Sequence, residues 1–295
     1  MIEVIIPVHN RRAVTLRCLE LLTRQTNVAF RVTVVDDGSS DGTSEAIRER
    51  FPKVDVLKGD GSLWWAGATN AGVRHALNRQ HVAPYILMLN DDVEFDAGYL
   101  SSMERHAVAH PSSLMGSLAV YGEDPGRVFW CGQAASYRQC RYGYVRRDGL
   151  TGLVPAEALP GRGMLVPTEA FRRVGLFDEK AFPQYAADFD FSLRARKAGY
   201  GLLCCCDTAV VVSTSETGPG SVYRNDPIGV FLRSFWHVRS PNYLPALWRF
   251  WTRHYGVIPF AGHIGKVVVG DFLRRTGLRR TRIQYEVSAD SQRSS

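Results

Sequence analysis

No glycine stands in the turn after the first apolar run; the chain reads "PVHNRRAV" there. A dinucleotide enzyme needs G-x-G-x-x-G at that turn, so that a pyrophosphate can meet the backbone at a helix N-terminus. This absence argues against a nicotinamide oxidoreductase. A sugar-nucleotide pyrophosphorylase would show a Gly-rich, basic loop in the same place, and "PVHNRR" is not one. No uncharged apolar stretch reaches the ~20 residues that span a bilayer, so contact with a membrane would be at its surface. The opening "MIEVIIPVHN" has no basic n-region and carries Glu3 inside its apolar run, unlike a signal peptide. Cysteine is sparse and unpatterned: Cys204, Cys205 and Cys206 are consecutive in an apolar run, and Cys18, Cys131 and Cys140 are scattered. That is neither a secreted disulfide framework nor a zinc spacing, and it suits buried thiols in a reducing cytosol. Internal repeats are absent.

Acidic residues nearly vanish from one region. Between Phe231 and Arg282 there are 10 Arg or Lys residues and a single acid, Asp271. The formal net charge of +7 is therefore a C-terminal property, since residues 1–230 mix both signs. The 295 residues, 45% hydrophobic and 22% charged, can bury a sizeable core.

Strand and helix patterns alternate through the first half. "EVIIPV" (3–8), "FRVTVVDDGS" (30–39), "VDVLKG" and "YILMLN" read as strands. Helical patterns fall at 11–25, at 40–51 with Ser40 or Asp41 as cap, and at 66–80. This alternation predicts an α/β fold: a mainly parallel sheet flanked by helices on both faces. Residues 121–157 resemble hairpins and loops. Turn, strand and helix are expected over 161–179, a helix with a Gly stop over 185–200, and one or two strands over 201–213. "TSETGPGS" (214–221) reads as a linker to a C-terminal helical appendage.

Ligands of parallel α/β sheets bind outside the carboxyl ends of the strands. That rule puts His9-Asn10, Asp36-Asp37 and Asn90-Asp91-Asp92 on one rim. Adjacent carboxylates repel and lose hydration if enclosed, so Asp91 and Asp92 call for a positive partner. The competing reading is an Asx-rich turn in water.

"VIIPVHNR", "VVDDGSSDGT", "GATNAGVRHA", "LMLNDDV" and "DFDFSLRARKAGY" occur in the order seen in family 2 inverting glycosyltransferases of the GT-A fold, which this chain resembles over residues 2–215. The resemblance implies a GT-A domain over 1–215, with a nucleotide-binding half to about residue 95 and an acceptor half after it. It implies transfer of a sugar from a nucleoside diphosphate donor, UDP- or dTDP-linked, to a hydroxyl of a glycan or lipid-linked glycan in bacterial surface polysaccharide synthesis. Mg2+ or Mn2+ would assist. Pro7, His9 and Asn10 would pack the base and ribose, and Asp37 would accept a hydrogen bond from them. Asp36 would tie its own turn. Asn90-Asp91-Asp92 matches the D-x-D position, with Asp92 on the metal and Asn90 and Asp91 on the donor. Asp188 falls on the catalytic base, and "GRGMLVP" places Gly161, Arg162 and Gly163 toward the acceptor.

Asp188 also reads as a helix N-terminal acid favoured by the dipole. Asp190 and Arg194, four apart, can pair. Trp64 and Trp65, with Gly67 and Asn70 after them, would form a platform for the donor; two core tryptophans are the alternative. Where relatives carry a cation for the diphosphate, this chain has Trp64-Trp65, which leaves Arg74 or a C-terminal Arg for that task. The third metal ligand is unassigned, with Ser213, Thr214, Glu216 and distant His237 at hand. The alternative class is an inactive nucleotide-sugar or carbohydrate-binding module.

The basic, aromatic region 216–295 suits a peripheral anchor on an anionic membrane, the inner face of the plasma membrane of a cytoplasmic protein. Packing on the core or a homodimer are the alternatives. No nucleic-acid motif accompanies it.

Overall fold

The computed structural model describes residues 1–122, 128–131, 133–136, 141–144, 151–212 and 228–275. Its first half is β1 (Ile2–Val8), α1 (Arg12–Thr23), β2 (Phe30–Asp36), α2 (Thr43–Arg50), β3 (Asp55–Lys58), α3 (Trp64–Leu77) and β4 (Tyr85–Met88). β1 pairs in parallel with β2 on one side and β4 on the other, and β3 extends the sheet in parallel beyond β2. Strands covered on both faces read as near-continuous apolar runs. Accordingly Ile5 and Ile6 of β1 and Ile86, Leu87 and Met88 of β4 are wholly buried. Glu3 is the one charge inside β1. It is tolerated because Arg31 and Arg79 lie 3.1 and 3.2 Å from its carboxylate and the Thr33 hydroxyl donates to it at 2.9 Å.

α2 departs from expectation at its start. Its N-cap is Gly42, at a φ of 77°, not Ser40 or Asp41. The Asp-Gly pair makes a turn first, and Asp41 accepts the Thr43 N–H at 3.1 Å from just outside the helix.

The second half comprises β5 (Val93–Glu94), α4 (Tyr99–Ala109), β6 (Ser113–Tyr121), β7 (Val128–Trp130), β8 (Gln133–Ser136), β9 (Arg141–Tyr144), β10 (Leu153–Pro155), β11 (Met164–Pro167), α5 (Thr168–Val174), α6 (Ala187–Lys197) and β12 (Gly201–Val212). The main sheet runs β10-β12-β6-β11-β4-β1-β2-β3, and β8 and β9 form a separate hairpin. β11 is antiparallel to both β4 and β6, which makes the sheet mixed. β12 is one strand, with a register shift against β6 between Cys205 and Ala209. α6 ends at Lys197, and Gly199 at a φ of 94° supplies the expected stop. The fold also gathers thiols that the spacing left scattered: sulfurs of Cys131, Cys204 and Cys206 lie within 4.8 Å of one another.

After the linker expected at 214–221, which lies outside the described residues, come α7 (Ile228–Ser234), α8 (Leu244–His254) and α9 (Val257–Arg275). α8 is strongly amphipathic, with Phe250 and Trp251 buried. Its end reaches α6: Arg253 and His254 both lie 2.9 Å from Asp190.

Candidate active site

β1, β2 and β4 are parallel neighbours, so their carboxyl ends share one edge. The structure knits the first two ends together. His9 donates from Nδ1 to the Asp37 carbonyl at 2.6 Å, which leaves Nε2 to accept from Asn10 Nδ2 at 3.0 Å. Asn10 sits at a φ of 52°, a conformation Asn tolerates, and its Oδ1 accepts the Ser40 N–H at 2.8 Å. Asp36 ties its own turn, taking the Ser39 N–H at 2.9 Å and the Ser44 hydroxyl. Asp37 holds the loop that leads into α3, accepting from Gly61 N–H at 2.8 Å and Trp64 N–H at 3.0 Å. Trp64 is thereby fixed at a φ of 56°, a strained conformation for a bulky residue. The Arg239 guanidinium lies 5.2 Å from the centre of its ring.

The third strand end carries the acids. Leu89 still donates to Ile5, so the chain leaves the sheet only at Asn90. Asn90 Oδ1 accepts the indole N–H of Trp65 at 3.1 Å. Asp91 accepts from Arg11 Nε at 3.1 Å and from the Thr15 hydroxyl at 3.0 Å. Burial nonetheless pushes the Asp91 carboxyl up to about 6, against the pull of Arg11 and with a further push from Asp92. Asp92 has weaker company: Arg11 Nη2 at 3.6 Å and Arg162 Nε at 3.9 Å. Its Oδ1, Arg11 Nη2 and Arg162 Nε are all buried without a hydrogen-bond partner. Buried polar atoms of both signs, left unmatched around one carboxylate, fit a site built for ions that carry their own charge. Hard carboxylate oxygen suits Mg2+ or Mn2+, and the two guanidiniums suit phosphate oxygens.

The opposite wall is the segment before β11 together with the start of α6. Asp188 stands in the first turn of α6, behind Ala186 at a φ of 70°. One carboxylate oxygen accepts the Gly161 N–H at 2.8 Å and the other the Phe189 N–H at 2.9 Å. Burial raises its pKa above the usual carboxylate range, while those N–H groups and the Arg162 charge oppose the rise. Gly161 must be glycine, because a Cβ there would lie 2.3 Å from the Trp65 ring. Arg162, expected to face the acceptor, turns instead toward Asp92. Gly163 faces inward: a Cβ would meet Ser117 Oγ at 2.4 Å and Tyr99 Oη at 2.7 Å.

Other expected residues are not in this cluster. Asn70 is fully buried and its amide is fully used, donating to Phe177 O at 2.9 Å and Glu179 Oε2 at 2.6 Å and accepting from Phe177 N–H at 3.0 Å. It clamps the loop at 177–179 from inside α3. Gly67 is buried next to Leu63, the residue that caps the start of its helix. Arg74 pairs with Glu179 at 3.3 Å, so it is not the spare cation. The cations that do reach the rim are Arg11 and Arg162, with Arg239 over Trp64; the Arg11 and Thr15 contacts to Asp91 had no expectation behind them. Pro7 is half-buried within β1. His237 is occupied locally, its Nδ1 accepting from Arg239 N–H at 3.2 Å. Ser213, Thr214 and Glu216 lie outside the described residues.

The mixed, mainly parallel sheet flanked by helices, with an acidic cluster at its strand ends, has the architecture of the GT-A fold. The sequence profile of "Glycosyl transferase family 2" matches residues 3–174, and the chain belongs to that family. Among curated relatives, the N-acetylglucosaminyl-diphospho-decaprenol L-rhamnosyltransferase of Mycobacterium tuberculosis is 28% identical over 214 residues, covering 62% of this chain and 66% of that one. The validoxylamine A glucosyltransferase of Streptomyces hygroscopicus subsp. jinggangensis is 33% identical over 205 residues, covering 65% of this chain and 40% of that one. The chain thus spans just under two thirds of the first relative and well under half of the second. Among solved structures, GalNAc-T7 with UDP, GalNAc and Mn2+ aligns with a TM-score of 0.60 at 14% identity, covering 96% of this chain and 59% of that one. S. aureus TarS 1–349 aligns at 0.57 with 15% identity, covering 98% and 94%. At such identities the likeness is one of fold. Among the described residues, no helix is long and apolar enough to cross a membrane.

Proposed function

We propose that this protein is an inverting, metal-dependent transferase that moves a hexose or 6-deoxyhexose such as rhamnose from a UDP- or dTDP-sugar to a hydroxyl of a glycan. The observation that carries the reading is the bridge formed by two adjacent residues. Gly161 holds Asp188 through its N–H, and Arg162 extends toward Asp92. A raised-pKa carboxylate and an under-partnered acidic pole thus flank one loop, as a single displacement requires.

In this reading Asp188 takes the proton of the acceptor hydroxyl as its oxygen attacks the anomeric carbon. A free Asp, with a pKa near ~3.9, is a weak base; burial of Asp188 strengthens it. The diphosphate departs on the other side, where Arg162 and Arg11 meet its charge. A divalent cation held by Asp92, Mg2+ or Mn2+, would neutralise the leaving diphosphate. Asp91, anchored by Arg11 and Thr15, and Asn90 line the donor side. Trp65, fixed edge-on to Phe177 with centroids 5.4 Å apart, gives the sugar or base a rigid apolar wall. Pro7, His9, Asn10 and Asp37 shape the nucleoside end. Gly161 closes the acceptor end, while Gly67, Asn70 and Gly163 act through packing.

The name of the mycobacterial relative, an N-acetylglucosaminyl-diphospho-decaprenol L-rhamnosyltransferase, supports a lipid-linked acceptor; surface polysaccharide synthesis and a seat at the inner face of the plasma membrane extend that reading. The GT-A unit is residues 1–215, with 216–295 as a second unit. Hydrolysis of a panel of nucleotide sugars, with and without Mn2+ and EDTA, tests the reading. Slow metal-dependent release of UDP or dTDP from one donor is expected. Donor binding with no turnover of any donor, acceptor present, would instead identify an inactive binding module.

A further inference from the structure

The apolar surface of this protein is concentrated in one place. Of 13 large hydrophobic residues exposed among those described, 10 lie between Ile228 and Phe272. The pattern is clearest on α9. Val257, Ile258, Ala261, Gly265, Val268 and Val269 are all exposed, and at helical pitch they fall within about 120° of arc. Ile258 is 86% exposed. The opposite side of the helix is already in use: Phe260 packs edge-on against Trp248 at 5.0 Å, and His263 lies over Trp251 at 5.0 Å. α9 is therefore apolar on both sides, and α8 covers one of them.

Charge selects what covers the other. Residues 228–275 contain seven Arg or Lys and one acid, Asp271, and Asp271 is buried. Exposed Arg233 and Arg249 stand in the same span, Arg249 next to half-exposed Trp248. A second copy of this chain would bring the same excess of positive charge to a shared interface, which opposes self-association. A nucleic acid would match the charge but would gain little from valine and isoleucine side chains. An anionic lipid surface matches both properties, since aliphatic groups enter the acyl boundary, Trp sits at headgroup level and arginines meet phosphates.

We infer that the outer stripe of α9, together with exposed Trp248 and Arg249 of α8, forms a membrane-seating surface for anionic lipid. The helix lies in the plane of the interface and does not span it. This deepens the proposed function by giving its lipid-linked acceptor a location, but the surface itself stands apart from the chemistry. Because α8 also grips Asp190 on the helix that carries Asp188, seating also fixes how the site faces the bilayer.

Flotation of the full chain tests it, with vesicles of phosphatidylglycerol and phosphatidylcholine set against phosphatidylcholine alone. The protein is expected to float with the anionic vesicles, less so at high salt, and poorly with the neutral ones. The double variant I258E/V269E, checked by circular dichroism and melting temperature to be folded, is expected to stay at the bottom of the gradient. Wild type that fails to float, or a folded variant that floats equally, overturns the inference. So does light scattering that shows a dimer which the variant dissolves, because the stripe is then a contact between copies. Flotation by a protein that turns over no nucleotide sugar supports this surface and counts only against the transferase reading.

Discussion

Asp188 and Asp190 stand two residues apart on α6 and face opposite fates. Asp190 is fully buried, and two arginines and a histidine converge on it: Arg194 at 2.8 Å, Arg253 at 2.9 Å and His254 at 2.9 Å. Those partners outweigh its burial and hold its pKa below the usual range. Asp188 has two backbone N–H groups and a more distant arginine, and burial wins. The same contrast separates two regions. The seam between α6 and α8 is closed by ion pairs, whereas the rim is left short of partners at Asp92, whose Oδ1 is buried with no hydrogen bond beside equally unmatched Arg11 Nη2 and Arg162 Nε. A buried group left short of partners costs stability, and in this fold that cost falls where a charged substrate would supply the missing contacts.

Breaking the rim should have the largest effect on activity. Asp92→Ala is expected to reduce transfer about 10³-fold or more, since several kcal/mol of leaving-group stabilisation go with it, while circular dichroism stays unchanged. Activity close to wild type would leave Asp92 a buried acid with no part in transfer.

Breaking the seam should cost stability first. Arg253→Ala removes charge-assisted bonds to Asp190 and to Asp178, the latter at 2.7 Å. A loss of about 1.5–3 kcal/mol is expected by chemical denaturation, with a KM for donor near the wild-type value. Unchanged stability would mean that Arg194 and His254 suffice for Asp190.

The smallest effect sharpens the contrast through pH. Asp91 titrates near 6 when folded, above its unfolded value of 3.8, so the folded state binds more protons between those values. Its contribution is therefore fully present at low pH and is lost as pH rises from about 4 to about 6. Asp190, with its lowered pKa, contributes in the other direction and loses stability as pH falls. Asp91→Asn should remove the downward slope from a plot of melting temperature against pH in that window, without added metal. A slope that survives the substitution belongs to another group.

Much of the rim was legible before the structure. Parallel strands announce themselves as buried apolar runs, and acids at their ends must lie on one edge, where Asp36-Asp37 and Asn90-Asp91-Asp92 stand. The helical pattern over 185–200 puts Asp188 at a helix start, where it stands, while its role as base is what the resemblance to family 2 implies. What escaped was side-chain reach. Arg11, Arg162 and Arg239 act across elements distant in the chain, and a long flexible arginine carries no local mark of its target. "GATNAGVRHA" names a helix but not which of its sides faces inward, and Asn70 and Gly67, expected at the donor, face the core instead. Residues 201–212, read as one or two strands, form one strand whose register shifts between Cys205 and Ala209, where Asp207 and Thr208 interrupt the apolar run.

The most direct test of the account is Asp188→Asn, which keeps the shape of the side chain and its helix start but removes basicity. Donor affinity by calorimetry and turnover with a saturating acceptor are measured on the same preparation. The account predicts donor affinity within about twofold of wild type and turnover lower by about 10²–10⁴. Lost donor binding, or turnover near wild type, would contradict Asp188 as the base.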